Sequence, residues 1–509
     1  MRPLALHPLS AGLLSLTFLG ACAGSTPAPT VSKAPPVTPA PAVDESFRQT
    51  EPPPGPPVSF RAPVPKVLTL GSGLTVWLVE RHDIPLASFS FVVNAGANTN
   101  PRGLPGTSSF VAAMLDEGTT RRDAPEIARA FENIAAQFRA TSDQETLTAS
   151  LSVPTESIET GVVLFADVLR HPAFRPADVE RVRNLRAGEL TRELDDPTQV
   201  GRHVLARVVY GETHPWAYPE KGTLEANRRI PRSALQAWHR TWVQPKNATL
   251  VVVGDVQESA LVPVLERAFG GWKARPLPKI VLPPSAPAQA RTLVLVDRAD
   301  ASQSQVWIGR AGEPVSAPGL YATRVANLVL GGGPKGRLFA ALRTGKAYSY
   351  GAYSGAFERR EQAGLLFATG GIVADKTHEA VQEFVKVMDG LAGKGLTDTD
   401  LAEAKAAIVQ GLPARFESND ATAQAFGRAR GLGFSPEYFA ELPARVDAVT
   451  RMEADAAASG ALATSGSTFV VVGPMKVLRA RLEALQLGPV QIRDASGKLL
   501  SPPKAAAPR

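Results

Sequence analysis

Across 509 residues there is one cysteine, Cys22, so the folded part of the chain offers no thiol nucleophile. The longest apolar run near the start, residues 13–19, is too short to cross a bilayer. A composition that is 44% apolar and 20% charged describes a folded globular protein, neither a disordered chain nor a multi-span membrane protein. No segment interleaves Lys and Arg with aromatic residues, and a net charge of +7 is mild for this length, so nucleic acid is not an expected partner. His82, His171, His203, His214, His239 and His378 are scattered, without the i, i+3 or i, i+4 spacing of a helical metal site. Among them His203 and His214, in "GRHVLARVVYGETHPWAYP", are the best remaining metal candidates, with a structural role the favoured reading. There is no nucleophile elbow. "GGGPKGR", residues 331–337, lacks the spacing of a phosphate-binding loop and reads as a hinge before a helix.

What is present begins with a leader. Arg2, the apolar run and "LGAC" ending at Cys22 resemble the lipobox of bacterial lipoproteins, with residues 1–21 as signal peptide and Cys22 as the lipidated new N-terminus. An ordinary secretory signal with a chance cysteine is the alternative. Ala23 in place of an Asp retention signal points to the outer membrane of a bacterial envelope, facing the periplasm. Residues 22–64 then form a stalk, since 13 prolines fall between positions 23 and 65.

The rest reads as two copies of one plan, residues 65–274 and 291–494, joined by a Pro-rich linker at 275–290 and followed by a tail at 495–509. Each copy opens on two apolar strands (74–79 and 87–93; 292–296 and 303–309) and a helix. In the first copy that helix is "GLPGTSSFVAAMLDEGT", residues 103–119. A strand leading into a helix pair follows. Then "FRPADVERVRNLRAGEL" and "LTDTDLAEAKAAIVQGL" each predict a helix opened by an Asp or Thr cap. Both copies close on a buried strand, "ATLVVVGDV" and "STFVVVGPM", 219 residues apart. The fold class is α+β, with two homologous halves.

This order, the duplication, and the phrases "GLPGTSSFVAAMLDEGT", "RELDDP", "THPWAYP" and "LFAALRTGKAYSYG" resemble the pitrilysin/insulinase family of zinc metallopeptidases, in its mitochondrial-processing-peptidase-like branch. The resemblance implies two ferredoxin-like α+β modules in each half and a clam-shell assembly around an extended peptide. It also implies His-x-x-Glu-His on the first helix, two His ligands and a Glu general base on one face. Here those positions fall on Ser109, Ala112 and Ala113, none of which binds zinc or takes a proton. The third-ligand position falls on Glu189, 76 residues after Ala113, set at helical spacing with Val182 and Leu185. It is either a residual ligand or, the favoured reading, a surface or capped carboxylate. In the second half the resemblance assigns substrate binding and oxyanion support to Arg343 and to Tyr348, five residues on. Helix capping by Arg343 and packing of Tyr348 is the bland alternative.

The resemblance therefore implies a non-catalytic, substrate-binding subunit of a membrane-anchored heterodimeric zinc peptidase, inactive alone. It has no cofactor of its own, its zinc is supplied by a homologous partner chain, and its substrate is a peptide. A binding or scaffold lipoprotein that keeps the fold without proteolysis is the rival.

Overall fold

A computed structural model describes residues 60–284, 290–360 and 362–501, so Cys22 and the stalk before residue 60 lie outside the described part. The first half supplies β1 (Lys66–Thr69), β2 (Thr75–Glu80), β3 (Leu86–Val93), β4 (Gln137–Ser142), β5 (Leu147–Pro154) and β6 (Ala248–Gly254), in sheet order β1-β2-β6-β3-β5-β4. From the second half come β7 (Thr292–Asp297), β8 (Gln303–Ala311), β9 (Ser349–Phe357), β10 (Leu365–Val373), β11 (Thr468–Gly473), β12 (Val490–Arg493) and β13 (Leu499–Ser501). Their order is β13-β12-β7-β11-β8-β10-β9. Within these, β6-β3-β5-β4 and β11-β8-β10-β9 have the strand order of a ferredoxin-like unit, and β2 and β7 extend it by pairing parallel to β6 and β11. The mixed α+β class holds. Each half carries one such sheet, so the two modules belong to the chain as a whole.

The strands follow from their patterns. β6, "ATLVVVG", is buried throughout and apolar except for Thr249, because both of its faces are covered. β5 alternates, turning Leu147, Ala149, Leu151 and Val153 inward and leaving Thr148, Ser150 and Ser152 on the other face. The edge strands β4 and β9 do not appear in the sequence reading, which passes directly from the first helix of each copy to β5 or β10. Their alternation is polar and Gly-rich, too weak a signal against loop composition.

Several expected boundaries move. The folded part begins before residue 65, since Ala62 is buried and the Phe60 ring lies 5.4 Å from Phe416. The tail expected from 495 includes β13, which pairs antiparallel with β12. The helix Pro176–Asp195 opens on Arg175 with Pro176 in its first turn and no side-chain cap, whereas Thr397 caps Asp398–Gln410 through a reciprocal bond with Asp400.

The linker at 275–290 divides the sequence but not the layers. The helix Pro197–Tyr210, from the first half, packs on β8 and β11 of the second sheet, and Asn419–Gly431, from the second half, packs on β3 and β6 of the first. One core cluster therefore joins Val200 and Val204 to Trp307 and Val470, while another joins Trp77 and Val251 to Phe426. Close approach requires glycine at both crossings. A Cβ on Gly201 would lie 2.4 Å from Cδ1 of Trp307, and one on Gly427 would lie 2.7 Å from Oγ of Ser90.

Candidate functional site

The helix expected over residues 103–119 is helical only at Thr107–Ala112. Gly106 precedes it with φ of +93°, and after Ala113 the chain turns, burying Met114 and Leu115 from outside the helix. All six helical residues are buried. Its second face is therefore covered as well as its core face: the helix Arg232–Trp242 packs against it, and a side chain of the helix Pro176–Asp195 reaches Ser109.

The contact is made by Arg186, only 5% exposed. Its Nη2 donates to Oγ of Ser109 at 3.0 Å, to the Lys221 carbonyl at 2.8 Å and, at 3.4 Å, to the Gly106 carbonyl. Nε donates to Oδ1 of Asn227 at 3.3 Å, and the guanidinium carbon lies 4.9 Å from the Phe110 ring centroid. Burial lowers the pKa of Arg186 to about 10, against the opposing pull of the Glu189 and Glu193 charges. Even so it remains a cation at neutral pH.

Glu189 follows three residues later on the same helix and accepts from Nζ of Lys221 at 3.0 Å, which also lies 3.1 Å from Glu193. Burial pulls the Lys221 ammonium down, but its bonds to Glu189 and Glu193 outweigh that and raise it. Glu189 does not share the core face: Val179, Val182, Arg186 and Leu190 are buried, while Leu185 is 59% exposed. Thus Ser109, Arg186, Lys221 and Glu189 form one continuous chain of contacts, with Ala112 and Ala113 beside it contributing only methyl groups.

A divalent metal does not fit these residues. The donors are one hydroxyl that already accepts a hydrogen bond and one carboxylate that already holds an ammonium, and a fixed guanidinium stands against the first ligand position. Among the described residues no group of three or more His, Cys, Asp and Glu side chains is placed to hold a metal ion.

The histidines have other tasks. His214 is buried, with Nδ1 accepting from the Trp216 amide at 3.1 Å and Nε2 3.3 Å from Oε1 of Gln362, and its ring lies 5.2 Å from that of Tyr210. It is a structural histidine whose pKa burial lowers, against the Gln362 hydrogen bond. His203 has Nε2 2.9 Å from the Arg202 guanidinium, and burial together with that charge holds it neutral. "GGGPKGR" runs from the last residue of the helix Leu320–Gly331 to the first of the helix Arg337–Phe339.

Arg343 and Tyr348 part company. Arg343 is exposed and its guanidinium carbon lies 4.6 Å from the ring centroid of Tyr350, itself 84% exposed at the start of β9. Tyr348 is half-buried against the second-half core, its amide donating to the Leu342 carbonyl at 3.0 Å. Tyr350 is the residue that sequence reasoning missed. Among the described residues both sheets end on an unpaired edge, β4 in the first and β9 in the second. Along β4 and β5 runs a groove of about 1050 Å³, floored by Thr148, Ser150 and Ser152 and walled by Arg139, Gln424 and Arg428.

Residues 75–213 match the family model described as Insulinase (Peptidase family M16), and residues 229–408 match Peptidase M16 inactive domain, together more than half of the chain. The chain belongs to the pitrilysin/insulinase (M16) peptidase family. An uncharacterized zinc protease of Bacillus subtilis, YmxG, is 24% identical over 355 residues, 70% of this chain and 85% of that protein. A solved peptidase M16 inactive domain from Pseudomonas fluorescens superimposes with a TM-score of 0.73 at 22% identity, over 81% of this chain and 98% of that one. A protease from Helicobacter pylori gives 0.74 at 16% identity, over 81% and 100%. At these identities the solved structures establish the M16 fold alone, and the residues decide the chemistry.

Proposed function

We propose that this M16 chain is a non-catalytic, substrate-binding subunit of a zinc peptidase, whose metal is supplied by a homologous partner chain. The observation that carries the reading is the run of contacts from Ser109 through Arg186 and Lys221 to Glu189, which leaves the zinc face with two cations and no free ligand. A family member so built has lost the general base and the Lewis acid together.

Substrate binding remains available to it. An extended peptide adds to an unpaired edge by main-chain hydrogen bonds, and β4 with its groove and β9 with the Arg343–Tyr350 stack are such edges. Arg343, exposed and permanently charged, is free to donate to a peptide carbonyl or to the oxyanion forming at the partner's metal. Cys22, as a lipidated N-terminus, and the Pro-rich stalk that follows it tether the subunit to the bacterial outer membrane on its periplasmic side.

The test is affinity capture of the tagged chain from gently solubilised native membranes, followed by mass spectrometry. A near-stoichiometric companion of similar size carrying His-x-x-Glu-His supports the heterodimer. Recovery of the chain alone, or with envelope proteins unrelated to peptidases, shifts the reading to a scaffold lipoprotein.

A further inference from the structure

We propose that Arg186 is the resident cation of the former metal face, and that restoring the three lost ligand positions will not restore zinc while it is there. The guanidinium is bonded to the side chain at the first ligand position, through Oγ of Ser109. A guanidinium only donates, so an imidazole placed at 109 would meet a donor where a metal should be and would accept from it. A Zn²⁺ ion alongside would face a fixed positive charge in a buried, weakly screened setting. Lys221 completes the block by occupying Glu189 and Glu193 with its ammonium.

Arg186 also takes over the mechanical task of a metal, which is to join elements that approach from different parts of the chain. It ties the carbonyls of Gly106 and Lys221 to the helix Pro176–Asp195. Those carbonyls belong to two loops in backbone contact, where a Cβ on Gly106 would fall 2.2 Å from the Lys221 carbonyl oxygen and one on Gly222 would fall 2.1 Å from that of Pro105. Gly106 and Gly222 both have positive φ, +93° and +83°, which only glycine adopts without strain at such contacts. Substituting a fixed organic cation for a metal keeps this junction closed at any zinc concentration.

The test compares two rebuilt chains. One carries Ser109→His, Ala112→Glu and Ala113→His; the other adds Arg186→Leu, with Arg186→Gln as a parallel version should the leucine fail to fold. Zinc per chain is measured by elemental analysis after dialysis, and Co²⁺ binding by its visible absorption. The triple variant is expected to stay without stoichiometric zinc, and the fourth change to raise zinc affinity by about 100-fold, with a zinc-dependent rise in thermal midpoint. A triple variant that loads one zinc per chain overturns the proposal whatever the fourth change does. So does a folded fourfold variant, leucine or glutamine, that remains metal-free after Lys221→Ala has also released Glu189 and Glu193.

Discussion

Replacing Gly201 with alanine isolates the crossing of the two halves in one methyl group. Alanine in a helix interior is favoured over glycine by about 1 kcal/mol, so the change should stabilise wherever the new methyl has room. Gly188, in the helix Pro176–Asp195, has that room, since the nearest atom to an added Cβ is Nη1 of Arg192 at 3.8 Å. At Gly201 the same atom would lie 2.4 Å from Cδ1 and 2.9 Å from Nε1 of Trp307, a buried indole already held 5.0 Å from the Phe367 ring. An overlap of that size on a rigid ring costs about 1–3 kcal/mol in overpacking. Gly201→Ala should therefore gain nothing and lose up to about 2 kcal/mol net, whereas Gly188→Ala gains up to about 1 kcal/mol. Urea unfolding followed by tryptophan fluorescence and far-ultraviolet circular dichroism separates the two signs. A Gly201→Ala midpoint raised as much as that of Gly188→Ala would refute the packing of Pro197–Tyr210 on the second sheet, and with it the interlock of the halves.

Arg186→Ala, by unpairing the buried carbonyls and hydroxyl around it, should lower unfolding free energy by about 2–4 kcal/mol, measured by the same denaturation. His239 is buried with Nε2 2.8 Å from the Leu169 carbonyl oxygen, and burial lowers its pKa to about 4 from an unfolded value of 6.5. Its contribution to stability is therefore whole above about pH 6.5 and is lost as pH falls toward 4, about 3 kcal/mol in all. Stability measured across that window should fall less steeply in His239→Gln. In a reconstituted pair, Arg343→Ala should lower kcat/KM by about 10-fold or more, while Tyr350→Phe, which keeps the ring under the guanidinium, stays near the parent and Tyr350→Ala does not. An unchanged rate for Arg343→Ala would favour the scaffold reading.

Much of the fold is legible because burial writes itself into the chain. "ATLVVVG" and "TFVVVG" are strands covered on both faces, and the duplication sets them in equivalent places in the two sheets. The exchange of Pro197–Tyr210 and Asn419–Gly431 between halves is not legible, because an amphipathic helix states that it has an apolar face and not which sheet receives it. Ser109, Ala112 and Ala113 disclose the missing chemistry directly. Arg186 leaves a fainter trace: it stands in register with Val179, Val182 and Leu190, an arginine on the apolar stripe of its helix, which marks a buried cation in search of acceptors. Leu185, four residues before Glu189, is apolar yet exposed, so helical spacing from it does not place Glu189 on the core face. Tyr350 was overlooked because the strand that carries it, β9, is Gly-rich and bulged opposite Gly370 and Ile372.

The most direct measurement is the zinc content and chelator-sensitive peptide cleavage of the purified chain on its own. The account predicts no stoichiometric zinc and no cleavage that a chelator abolishes. One zinc per chain together with chelator-sensitive peptidase activity would contradict it.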